Sequence, residues 1–200
     1  MPKIVNSDEK IKFICDRAYE EFVKFGVNNF SLNKFTESKS LGMSKGQFYY
    51  YFKTKEELIY EVIDRKGQAI LEATIQKVDC ATTFLDKLLA LFSFYINPSS
   101  PEEAAFDKLF RDTFYLYLNV ENQYIRQKNA EFYAFIFSHT EKIFAEMINK
   151  GYLKEDAKSF IPSLVAIRDG MYLQSIVLEN YHLEQYLTDY LRLLDNWLRK

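Results

Sequence analysis

Apolar residues recur at three- and four-residue intervals along most of this chain, and little interrupts them: only 6 Gly and 4 Pro occur in 200 positions. Such spacing lays apolar side chains along one face of an α-helix, whereas a half-buried strand needs strict alternation. Scarce breakers favour long helices over a turn-rich β fold. The first helix is marked at both ends. Ser7 suits its N-cap, and Asp8 and Glu9 put negative charge in the first turn, where the helix dipole favours it. Ile11, Ile14, Cys15, Ala18, Phe22 and Phe25 then share a face, and Gly26 stops the helix. No segment alternates like a strand, so the expected fold class is all-α, with about nine helices joined by short loops.

Three helix starts follow closely. Ser31 caps a short helix in which Leu32 and Phe35 face inward, and Leu41-Gly42 makes a turn. Ser44 caps the next helix, whose buried face carries Phe48 and Phe52 at i, i+4 spacing. Thr54-Lys55-Glu56-Glu57 is a capping box opening a fourth helix, with Leu58, Val62 and Ile63 on its apolar side. That helix can continue past Gly67 towards Lys77 against the usual glycine penalty of about 1 kcal/mol. A fifth is expected over 83–96. Ser100-Pro101-Glu102-Glu103 starts another that runs to about residue 118. Long helices cover 121–150, ended by Gly151, and 156–180, with Pro162 either in an early turn or at a kink. The last spans 182–199, with Leu183, Tyr186, Leu187, Tyr190, Leu194 and Trp197 as its stripe.

Several function classes drop out. Cys15 and Cys80 are far apart, no CxxC occurs, and 2 His cannot complete a metal cluster, so no metal and no cofactor is expected. Two isolated cysteines read as buried thiols in a reducing compartment. No nucleophile, base and orienting group stand together, which argues against an enzyme. Met1-Pro2-Lys3-Ile4-Val5-Asn6 lacks an apolar signal core, and the apolar stretch from Leu88, interrupted at Ser93, ends at Ile96. That is far short of the ~20 residues needed to span a bilayer. No membrane association and a cytoplasmic location are therefore expected.

Charge is more informative locally than globally. The net charge is −2, yet Lys34, Lys39, Lys45, Lys53 and Lys55 face a single acid, Glu37, between residues 31 and 55. That basic cluster suits a phosphate-contacting module and equally suits a solvated face. The same segment holds two short helices joined by a glycine turn and preceded by a longer helix, which is a helix-turn-helix arrangement. Lys45, Gly46, Gln47, Tyr49 and Tyr50 point away from Phe48 and Phe52. Gln can bind an adenine edge, Lys a phosphate or guanine, and Tyr a phosphate or thymine methyl, while Gly permits close backbone approach. Each has a plainer reading. Gln47 stands three after Ser44 and can close a capping box; the tyrosines can be packing residues; Lys53 and Lys55 can be solvated.

The run Met43-Ser44-Lys45-Gly46-Gln47-Phe48-Tyr49-Tyr50-Tyr51-Phe52-Lys53-Thr54-Lys55-Glu56-Glu57-Leu58 closely resembles the recognition helix and following helix of the tetracycline-repressor (TetR) family. Ala18, Phe22, Gly26, Ser31, Leu32 and Phe35 match that family's first two helices, so the resemblance covers about 11–64. Asp169-Gly170, inside an apolar helix, is similar to its eighth helix. One feature departs: Gly42 lies seven residues beyond Phe35 rather than five, so either the turn or the second helix is longer, which leaves Lys39 and Ser40 without an assigned role.

The resemblance implies a helix-turn-helix domain over 1–53 and a helical effector-binding and dimerisation domain over 54–200. It implies that Lys45, Gly46, Gln47 and Tyr49 face bases or nearby backbone, that Tyr50, Tyr51, Lys55 and Ser31 hold phosphates, and that Ser44 stands with them at the start of the recognition helix. It further implies a small-molecule pocket among the middle helices, where aromatic residues are dense. Phe92, Tyr95, Phe110, Phe114, Phe135 and His139 are its candidates, although a Phe-rich core without a cavity fits the same residues. Dimerisation through the last two helices makes Leu173, Val177, Leu187, Tyr190 and Leu194 the candidate interface. The expected partners are a double-stranded DNA operator, a second copy of the chain and an unidentified small-molecule effector. The expected function is a sequence-specific regulator, acting as a repressor released by an apolar or aromatic effector; the alternative is a DNA binder controlled by a protein partner or by no effector.

Overall fold

The computed structural model describes residues 7–38, 41–96, 98, 100–119 and 121–200. Ten α-helices and three 3-10 helices account for most of them, and no strand forms among the described residues. Lys39 and Ser40 lie outside the described residues. The chain divides into two compact units, Met1–Ala69 with Ala104–Gln127, and Ile70–Glu103 with Lys128–Lys200.

In the first unit α1 (Ser7–Phe25) buries Ile14, Cys15, Ala18 and Phe22. Gly26 ends it at φ +80°, a left-handed conformation that glycine takes without strain. Phe25 departs from the expected face. It is half exposed, with the Lys24 ammonium 4.9 Å above its ring. A 3-10 turn, Val27–Asn29, leads into α2 (Leu32–Glu37), capped by Ser31. Because α2 stops at Glu37, the extra length before Gly42 lies in the connection rather than in the helix. Then come α3 (Lys45–Tyr51) and α4 (Lys55–Cys80). A chain of aromatic rings holds these pieces together: Phe22 meets Phe30 at 4.8 Å, Phe30 meets Phe35 at 5.2 Å, Phe35 meets Phe48 at 6.2 Å and Phe48 meets Phe52 at 5.8 Å. The edge-to-face pairs among them, Phe22–Phe30 and Phe35–Phe48, add about 0.5–1.5 kcal/mol each beyond simple burial. Salt bridges from Arg65 to Asp8 (2.5 Å) and Lys66 to Asp16 (2.7 Å) tie α4 to α1.

Helix α4 runs unbroken through Gly67, and the reason lies opposite it. A Cβ at Gly67 would come within 3.3 Å of the Phe106 ring. Phe106 belongs to α7 (Pro101–Asp112), which stacks its ring on Phe110. The expected helix to residue 118 ends early. The Thr113 hydroxyl donates back to the Leu109 carbonyl at 2.7 Å, and a 3-10 helix, Phe114–Leu118, follows. Phe110 meets Phe114 and Tyr117 edge to face there, and Phe114 stacks on Tyr117. Tyr124, at the start of α8 (Gln123–Asn149), donates to the Glu61 carboxylate.

In the second unit the expected helix over 83–96 divides into α5 (Phe84–Leu91) and α6 (Ser93–Ile96), parting at the wholly buried Phe92. The expected helix over 156–180 becomes a 3-10 helix, Glu155–Phe160, and α9 (Ile161–Val177), with Pro162 in the first turn, where its missing N–H breaks no helical bond. The final α10 (Leu183–Leu198) packs on α5, α6 and α9. It buries Leu183, Leu187, Leu191, Leu194 and Leu198. The two cysteines differ: Cys15 is buried, with its thiol pushed up to about 12 by burial and then by Glu61, whereas Cys80 is exposed at the end of α4.

Candidate nucleic-acid interface

Helix α3 is short, and its conformation is set mainly by its ends. The Ser44 hydroxyl accepts from the Gln47 amide N–H at 3.2 Å, and the Gln47 side-chain Oε1 accepts from the Ser44 N–H at 2.9 Å. This reciprocal capping box satisfies two donors that a helix start leaves orphaned. Phe48 is completely buried and holds the helix to the core. Ser44, Lys45, Gly46, Gln47 and Tyr50 are exposed on the opposite side, Tyr50 at 75%. Tyr49 and Tyr51 are half-buried, Tyr51 edge to face with Tyr50 at 5.1 Å. A cleft of about 210 Å³ beside α3 is lined by Lys10, Gly42, Met43, Gln47, Tyr50 and Tyr51.

Seven of the nine sequence candidates thus lie on or start this one helix: Ser44, Lys45, Gly46, Gln47, Tyr49, Tyr50 and Tyr51. The remaining two meet a different environment. Ser31 caps α2, accepting from the Lys34 N–H at 3.5 Å. Lys55 is half-buried, and its ammonium donates to the carbonyls of Phe30 (2.8 Å) and Val27 (3.3 Å), over the Phe30 ring. It therefore clamps the turn that leads into α2, a role its sequence position did not suggest. Lys45 reaches back to the Asn33 Oδ1 at 3.3 Å, and Lys53 to the Tyr49 carbonyl at 2.8 Å.

Of the six pocket candidates, Phe110 and Phe114 lie in the first unit's aromatic cluster. Phe92 and Tyr95 lie in the second unit, where both rings face Arg168, at 5.6 and 4.9 Å. Phe135 and His139 stack on each other along α8 at 4.1 Å, and the His139 Nδ1 lies 2.9 Å from the Phe135 carbonyl. On the last two helices Leu173 and Val177 are exposed, Tyr190 is half-buried, and Leu187 and Leu194 are buried in their own chain's core. The apolar side chains left outside on α10 are Tyr186, Leu193 and Trp197. Among the described residues no group of His, Cys, Asp and Glu could hold a metal ion, and no helix is long and apolar enough to cross a membrane.

A capped helix seated on a buried aromatic core and presenting Lys, Gly, Gln and Tyr outward defines a helix-turn-helix DNA-binding module. Residues 14–62 match the family described as bacterial regulatory proteins, tetR family. No curated protein sequence matches the chain. Solved structures share its fold. A TetR-family transcriptional regulator from Cytophaga hutchinsonii superposes with a TM-score of 0.70 at 19% identity, covering 98% of each chain. A proposed transcriptional regulator from Saccharomonospora viridis, in complex with choline, gives 0.72 at 15%, covering 97% of this chain and 100% of its own. The fatty acid degradation regulator FadR from Bacillus halodurans gives 0.66 at 20%, covering 96% and 97%.

Proposed function

We propose that this chain is a sequence-specific transcription regulator that binds its operator as a homodimer and is released when a small molecule occupies the helical domain formed by 54–200. The observation that carries the reading is α3 itself: an exposed, fully capped helix start whose outward side chains are donors and amphipathic rings. One such helix reads only a few base pairs, so useful specificity requires two copies about one helical turn apart or more. Leu173 and Val177 on α9, with Tyr186, Leu193 and Trp197 on α10, are an exposed apolar surface suited to a two-fold four-helix contact. An effector is supported by the aromatic surroundings of Arg168 and by the choline complex of the Saccharomonospora viridis protein.

The capping box narrows how α3 would read a base. The Gln47 Oε1 is already held by the Ser44 N–H, which leaves the side-chain NH2 to donate. Gln47 would therefore offer donors to an acceptor edge, such as guanine O6/N7 or thymine O4. The two-bond adenine contact would require breaking the cap. The test is a gel-shift series on the DNA upstream of the coding gene at several salt concentrations. Specific binding whose log affinity falls linearly with log salt supports the reading. Binding no tighter than to unrelated DNA would overturn it.

A further inference from the structure

Arg168 sits in α9 within an otherwise largely apolar run, and its side chain is wholly buried. Its Nε and Nη2 both donate to one oxygen of Asp169, at 2.9 and 2.5 Å. The other oxygen of Asp169 accepts from the Tyr133 hydroxyl of α8 at 2.9 Å. Burial first, and then the Asp169 carboxylate, push that hydroxyl well above its ordinary range, so Tyr133 stays a donor. The third guanidinium nitrogen, Nη1, is buried and finds no hydrogen-bond partner among the described residues. Around the guanidinium lie the rings of Phe92 and Tyr95, and Tyr95 in turn meets Tyr172 at 5.0 Å.

An unpaired buried donor on a charged group is among the more unfavourable features a core can carry, and buried polar groups nearly always have partners. The charge is also unevenly balanced. The cation is wholly buried while its counter-ion, Asp169, is about one-third exposed, so solvent screens the carboxylate and not the guanidinium. The face left over is positive, carries N–H donors and is walled by aromatic rings. A planar guanidinium edge fits a carboxylate with two parallel hydrogen bonds, and such charge-assisted bonds are about twice as strong as neutral ones.

We propose that the effector of this regulator is a carboxylic acid with an apolar or aromatic body, its carboxylate received by Arg168 Nη1 and its body laid against Phe92 and Tyr95. This rests on the reading of the chain as a ligand-responsive regulator and specifies the chemistry of its ligand. Asp169 and Tyr133 act as positioning groups: they hold the guanidinium through Nε and Nη2 and leave Nη1 unbound.

The experiment is calorimetric titration of the full-length protein with benzoate, phenylacetate and octanoate, each beside its neutral amide and the amine of the same skeleton. At least one acid should bind about tenfold more tightly than its amide, the gain expected when a neutral hydrogen bond becomes a charge-assisted one. The amine should not bind detectably. In the charge-balanced variant Arg168→Met with Asp169→Asn the preference for acid over amide should vanish while the helical circular dichroism is kept. If that variant does not fold, Tyr133→Phe should reduce the preference without abolishing it, because it only loosens the positioning of Asp169. Amides or amines that bind as well as the acids, a preference that survives the double substitution, or no binding by any acid would overturn the proposal. Failure of the underlying reading looks different. If amides or amines bind and release the operator, the regulator stands and only the carboxylate falls; if acids bind without changing operator affinity, the site stands and the regulatory reading falls.

Discussion

Gln47 is asked to serve two ends at once, and two substitutions separate them. Gln47→Ala removes the bond from the Ser44 N–H to Oε1 but keeps the one from the Gln47 N–H to the Ser44 hydroxyl. Losing a whole cap costs about 0.5–2 kcal/mol, so losing the exposed half should cost roughly 0.5–1 kcal/mol. For a chain of 200 residues that lowers the melting temperature by about 1–4 °C. Gln47→Glu keeps the cap, since a carboxylate oxygen still accepts from Ser44, and gains roughly 0.3–1 kcal/mol from the positive helix end. It removes both side-chain donors. The two variants should therefore move apart in thermal stability, Ala down and Glu level or up. On DNA both should lose discrimination at one base pair by roughly 1–3 kcal/mol, five- to 150-fold. The assay is a thermal melt beside competitive binding to the operator and to operators changed at single positions. A Gln47→Glu protein that keeps the wild-type sequence preference would refute the donor argument. A Gln47→Ala protein with an unchanged melt would refute the cap.

Lys55→Ala should lower the melting temperature and weaken binding to all sequences with little change in the salt slope, because its ammonium is held by the carbonyls of Phe30 and Val27; a slope shallower by about one unit would instead place it on a phosphate. Val177→Glu with Leu193→Glu should convert a dimer to a folded monomer in light scattering, since both side chains are exposed on the apolar surface of α9 and α10, and a wild-type monomer at micromolar concentration would remove the dimer from the proposal. Glu146 is held below its ordinary carboxylate range chiefly by the hydrogen bond from Lys150, with help from the buried Lys87. Its contribution to stability is present above the unfolded-state value and lost as pH falls through the lowered folded-state value, so Glu146→Gln should be less stable than wild type at neutral pH, with the difference closing in acid.

Helix α3 was legible because its determinants are local. Ser44 and Gln47 are three residues apart, Phe48 and Phe52 four, and a cap or an i, i+4 pair forms wherever that spacing occurs on a helix. The carbonyl contacts of Lys55 were not legible for the opposite reason: Phe30 and Val27 are 25 and 28 residues away, at and within a 3-10 turn. Gly67 shows the same limit. Its helix penalty was visible in the sequence, whereas its benefit, room for the Phe106 ring, depends on a residue 39 positions on.

The last two helices show why apolar periodicity alone could not divide core from interface. Neighbouring helix positions differ by about 100° around the axis, so two apolar faces one residue out of step merge into a single broad stripe. On α10 the inward set is Leu183, Leu187, Leu191, Leu194 and Leu198, and the outward set is Tyr186, Leu193 and Trp197. The sequence stripe thus mixed the buried Leu187 and Leu194 with the exposed Tyr186 and Trp197. The division is made by α5, α6 and α9, which cover one edge of the stripe and leave the other bare. Arg168 follows from the same logic. In sequence it is one charge in a largely apolar run, which would ordinarily face water. Packing turns it inward against Phe92 and Tyr95, and its neighbour Asp169 is left close enough to solvent to balance it only in part. What a charged residue does in such a helix is thus decided by the rotation of that helix against its neighbours, a quantity carried by long-range packing and by no local spacing.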